Sequence, residues 1–104
     1  MEALAIELPA KALADFCQRW KIRALAVFGS ALRDDFRPDS DIDFLVSFAD
    51  DARWSLWDVI QAEEELASLM GRPVDLVERS TVEQSENWIR RNDILRTARV
   101  VYGR

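Results

Sequence analysis

Apolar and polar residues follow one another at intervals that change along the chain, and the intervals predict its elements. After Pro9, residues Leu13, Phe16, Cys17 and Trp20 recur at helical spacing, so Lys11–Trp20 is expected to be a helix with one face in a core. The next apolar block, Ala24-Leu25-Ala26-Val27-Phe28, is nearly continuous and stops at Gly29, as a buried strand over Ile22–Phe28 would. Asp41–Phe48 then alternates. Ile42, Phe44, Val46 and Phe48 share one face, and Asp41, Asp43, Leu45 and Ser47 share the other, which predicts a strand with one face in the core. Trp54–Met70 returns to helical spacing, with Leu56, Val59, Ile60, Leu66, Ala67 and Met70 inward and Gly71 as the C-cap. Pro73–Val77 reads as a third strand and Thr81–Arg96 as a further helix; Ala98–Tyr102 reads as a last strand or as the end of that helix. The polar stretch Ala31–Ser40 is expected to form a short helical turn and a loop.

Helix, strand, loop, strand, helix, strand, helix is an α/β (α+β) order. It predicts a small mixed β-sheet flanked by helices, in a single domain over residues 1–104. Composition changes the picture in three places. A net charge of −5 disfavours binding to long nucleic acids, which requires a cationic surface. The chain has no histidine and one cysteine, so triads, Cys-His catalysis and zinc sites are excluded, and acid–base or metal chemistry falls to carboxylates. No apolar run is long enough to span a membrane and the first residues lack a basic leader, so a cytoplasmic location is expected.

The candidate chemistry sits where the first two strands meet. Gly29-Ser30 ends one strand and Asp41-Ile42-Asp43 opens the next, so the two aspartates project side by side while Ile42 points into the core. Adjacent carboxylates repel, and a divalent cation relieves that repulsion. An Asp-x-Asp pair also occurs as an ordinary strand end or cap. Asp75 is flanked by Val74 and Leu76, and an acid buried in an apolar strand would need a partner. If the third strand lies beside the second, Asp75 completes a set of three carboxylates. A Gly-Ser turn next to such a set suits phosphate chemistry, because glycine permits close backbone approach and N–H groups of the following turn can hold phosphate oxygens.

Phe28-Gly29-Ser30-Ala31-Leu32-Arg33, followed by Arg37-Pro38-Asp39-Ser40-Asp41-Ile42-Asp43-Phe44-Leu45-Val46, closely resembles the signature of the minimal nucleotidyltransferases of the DNA polymerase β-like superfamily. The resemblance implies that fold, and implies Asp41, Asp43 and Asp75 as catalytic and metal-binding residues for Mg²⁺, with two ions expected and Mn²⁺ as a substitute. It further implies Gly29, Ser30 and Arg33 as nucleotide-binding residues, with ATP as the substrate. Asp34 stands where related chains often carry glycine, which bears on the shape of that loop.

For function, the resemblance implies transfer of AMP from ATP to a tyrosine of a HEPN-domain RNase toxin, with this chain as the antitoxin. Nucleotidyl transfer to a small-molecule acceptor is a second reading, and neutralisation of a partner by contact alone is a third. Four tryptophans are compatible with an interface as well as a core, in a homo- or hetero-oligomer.

Overall fold

Two strands buried on both faces form the centre of the molecule. The computed structural model describes residues 8–29 and 41–103. Its elements are α1 (Ala10–Arg19), β1 (Ile22–Phe28), β2 (Ile42–Phe48), α2 (Leu56–Met70), β3 (Val74–Glu78), α3 (Arg79–Glu83), α4 (Trp88–Thr97) and β4 (Arg99–Gly103). The sheet order is β3-β2-β1-β4. β1 is antiparallel to both β2 and β4, and β3 runs parallel to β2 after the α2 crossover. The mixed α/β architecture expected from the sequence is therefore present, and Ala98–Tyr102 resolves as a strand.

Period-two geometry gives the sheet two apolar faces. On one, Leu25, Val27, Ile42, Phe44, Val46 and Leu76 pack against Leu13, Phe16 and Cys17 of α1 and Ala62 and Leu66 of α2. On the other, Ala26, Phe28 and Leu45 meet Val82 of α3 and Ile94 of α4. Each such side chain contributes about 1.5–3 kcal/mol by leaving water. Leu45, expected on an open face, is thus buried (2% exposed) beneath the two C-terminal helices.

α1 starts at Pro9, whose carbonyl accepts the Leu13 N–H. Its C-terminal end is clamped to α2. Arg19 forms a two-pronged ion pair with Glu65, and the Trp54 indole N–H donates to the Trp20 carbonyl at 2.8 Å. The Trp20 and Trp54 rings meet edge to face at 5.1 Å. The hydrogen bond from Arg19 lowers the Glu65 pKa, but both groups are largely solvated, so the pair mainly sets geometry.

α2 begins later than the hydrophobic pattern suggests. Ser55 and Asp58 form a reciprocal capping box, and Gly71 closes the helix in the left-handed conformation. Its inward face is Val59, Ala62, Leu66 and Met70; Leu56 and Ile60, expected inside, are exposed along with Trp57. The helix expected over Thr81–Arg96 is two helices, because the Asn87 side chain accepts the Arg90 N–H and starts α4 afresh.

Two outcomes follow. Ser55→Ala removes the capping box and should lower unfolding free energy by about 1 kcal/mol, read from urea titration. Burial pushes the Cys17 thiol up to about 12, so native protein at pH 8 should leave a disulfide reagent unreacted until it is unfolded. The sign of the linkage is set by the unfolded thiol: this contribution to stability is complete below pH 9 and declines as pH rises from there toward 12.

Candidate active site

The ends of β1, β2 and β3 converge at one edge of the sheet, and the candidate residues stand there. In the antiparallel register Phe28 faces Asp43, which places Gly29 immediately beyond that pair. Gly29 has φ +75°, and a Cβ built on it would collide with the Asp43 carboxylate. Glycine is therefore favoured for its backbone conformation, and a side chain there would have to displace the Asp43 carboxylate.

β3 then sets the second acid. The parallel register pairs Asp43 with Asp75 directly, and the Ile42 N–H donates to the Pro73 carbonyl at 3.0 Å, fixing where that pairing begins. Asp43 is half-buried, while Asp41, just before β2, and Asp75 are exposed. Asp75 lies on an edge strand, so its apolar neighbours do not bury it as the sequence suggested. Ile42, fully buried between the two β2 aspartates, holds their alternation. Among the described residues, no group of three or more acidic side chains is gathered as a metal site. The arrangement is a facing pair, Asp43 and Asp75, with Asp41 at the mouth of β2. Their donors are all oxygen, which in type suits a hard cation. Ser30 and Arg33, the other expected nucleotide contacts, lie outside the described residues.

Sequence reasoning missed Glu63. Its carboxylate accepts the Leu76 N–H at 2.8 Å, reaching from α2 to the outer edge of β3. That bond seals an edge N–H and fixes the strand carrying Asp75. The only hint in the sequence was an acid between inward-facing positions of α2, which a solvated helix face equally explains.

Comparison with known proteins places this geometry in a family. The nucleotidyltransferase domain family matches residues 10–101, and the chain belongs to that family. It is 42% identical over 65 residues to the protein adenylyltransferase MntA of Thermococcus cleftensis, covering 62% of this chain and 64% of that protein. The chain thus spans a little under two thirds of the length of the curated relatives it matches. A solved structure described as a minimal nucleotidyltransferase superposes with a TM-score of 0.63 at 32% identity, covering 86% of this chain and 85% of the other. A complex of tri-AMPylated Shewanella oneidensis HEPN toxin with MNT antitoxin matches with a TM-score of 0.60 at 18% identity, over 91% of this chain and 70% of the matched one; that likeness speaks for the fold alone.

Gly29 and Gly71 permit an internally controlled test. Both have positive φ, but a Cβ at Gly71 meets nothing within 4 Å. Gly71→Ala should cost about 1 kcal/mol from backbone conformation alone. Gly29→Ala should cost measurably more in the same urea titration, the difference being displacement of Asp43.

Proposed function

We propose that this chain is a Mg²⁺-dependent protein adenylyltransferase that moves AMP from ATP to a tyrosine hydroxyl of a HEPN-domain toxin and so acts as its antitoxin. The observation that supports it most is the direct pairing of Asp43 with Asp75, beside a glycine that makes room for the Asp43 carboxylate. The adenylyltransferase relative supports transfer of AMP to a protein acceptor.

In this reading Asp43 and Asp75, with Asp41 at the start of β2, would hold Mg²⁺ or Mn²⁺, which would supply Lewis-acid stabilisation of charge on the phosphates. In the same reading Gly29 and Ser30 would contact the β- and γ-phosphates, and Arg33 would contact a phosphate or the acceptor. The acceptor oxygen forms a bond to the α-phosphorus of ATP. The bond from that phosphorus to the β-bridging oxygen breaks, and pyrophosphate leaves with the electron pair. Asp75 takes the hydroxyl proton. Holding both reactants at one sheet edge converts an encounter in solution into an oriented reaction.

A net charge of −5 fits a protein acceptor better than a long nucleic acid. Among the described residues no helix is long and apolar enough to cross a membrane. Use of ATP together with a single free cysteine fits the cytoplasm.

The test is intact mass. The chain is co-expressed with the product of the neighbouring reading frame, then incubated with Mg²⁺ and ATP, and that product is weighed. The expected result is a gain of one or more AMP units, formed about a hundredfold more slowly or not at all with Asp43→Asn. An unmodified partner that stays bound would replace transfer by neutralisation through contact, and modification surviving Asp43→Asn would remove the aspartates from the chemistry.

A further inference from the structure

The first turns of α2 carry apolar side chains that the core does not use. Leu56 is 74% exposed, Trp57 78% and Ile60 38%. Trp57, Ile60 and Glu64 recur at i, i+3 and i+7, and Leu56, Ile60 and Glu64 at i, i+4 and i+8, so the four share one outward ridge. A lone exposed leucine is ordinary. A tryptophan gathered with two aliphatic residues on one helix face marks a contact surface.

The ridge is held rigidly and is charged at both ends. The Ser55–Asp58 capping box fixes its first turn. Trp54, one residue before the cap, is locked against Trp20 by its indole hydrogen bond and by ring contact. Arg53 stands just before that, with Nη1 donating to the Asp50 and Ala52 carbonyls at 2.8 and 3.1 Å. At the other end three acids follow one another. Glu63 accepts the Leu76 N–H and Glu65 is ion-paired with Arg19, whereas Glu64 is exposed and has neither kind of partner among the described residues. Among those residues Arg53 is likewise in no salt bridge.

We propose that this ridge is the interface of a homodimer, in which α2 packs antiparallel against α2 of a second copy. A two-fold axis level with the Asp58–Val59 step sets Trp57 opposite Ile60 of the second copy and Arg53 opposite its Glu64. Each contact then occurs twice, as an isologous interface requires. The antiparallel arrangement also brings each Glu64 to the positive N-terminal end of the other α2. The occupant is a second copy because this chain supplies both halves of the match: the aromatic and its aliphatic seat, the cation and the anion, in one register. α2 starts beyond the C-terminal end of β2, whereas Asp41 and Asp43 stand at the N-terminal end of that strand. The pairing therefore leaves the aspartate edge open on both copies, and the inference is independent of the adenylyltransferase reading.

Sedimentation equilibrium of the full chain across the micromolar range tests the interface. The expected result is a reversible monomer–dimer equilibrium with a limiting mass twice that of one chain. Trp57→Glu should weaken association at least about a hundredfold, because the lost contact occurs twice. Arg53→Glu and Glu64→Arg should each weaken it about tenfold by setting like charges opposite one another, and the two together should restore it. All three positions are exposed, and melting curves check that each variant folds. A wild type that stays monomeric throughout the range overturns the proposal, including the case in which the ridge binds only some other protein. A dimer that survives Trp57→Glu overturns it as well. A double charge variant no tighter than either single one overturns the antiparallel match.

Discussion

The structure depends on the antiparallel pairing of β1 with β2. Both strands are buried on both faces, so a slip of one residue would turn Ile42, Phe44 and Val46 out of one core and Asp43 into it. The register that avoids this puts Phe28 opposite Asp43 and leaves Gly29 just beyond, where any side chain would have to displace the Asp43 carboxylate. Core burial and acid placement are therefore one constraint. β3 inherits it: once docked parallel to β2, with Glu63 sealing its outer edge, Asp75 has one place to stand.

The two faces of the sheet divide the work. The α1/α2 side carries the larger core and the Trp20–Trp54–Glu65 clamp. The α3/α4 side is more thinly packed, and its smaller core leaves a cavity against Phe28 and Val77. Rigid support on one face and open volume on the other is the arrangement expected of a binding edge held by a stable scaffold.

Much of this was legible in the residues. The alternation of Ile42, Phe44 and Val46 identified β2 and put Asp41 and Asp43 together, and Gly71 marked the end of α2. What stayed hidden depends on neighbours in space. Leu45 alternates as a solvent-facing residue would, and only α3 and α4 folding back over the sheet bury it. Asp75 looked buried because its chain neighbours are apolar, yet an edge strand exposes what a central strand would hide. Leu56 and Ile60 keep helical spacing with the core but sit in the first turns of α2, exposed. The break before α4 was signalled weakly, by Asn87 at a capping position within an otherwise helical pattern. The pairing of Asp43 with Asp75 hung on which strand neighbours β2, a question of topology that periodicity does not answer.

The position of β4 has a consequence for how the chain reaches this state. β1 and β2 are near neighbours along the chain, whereas β1 and β4 join residues as far apart as Ala24 and Gly103. Closing so long a loop is entropically expensive before the contacts it brings are made. The central hairpin can therefore form while the outer edge of β1, lined with apolar residues, still waits for its partner. During synthesis that edge is an open template for strand pairing with another molecule until the last strand emerges. The last strand of the sheet acts as its cover, and its pairing with β1, more than collapse of the core, sets when aggregation ceases to compete.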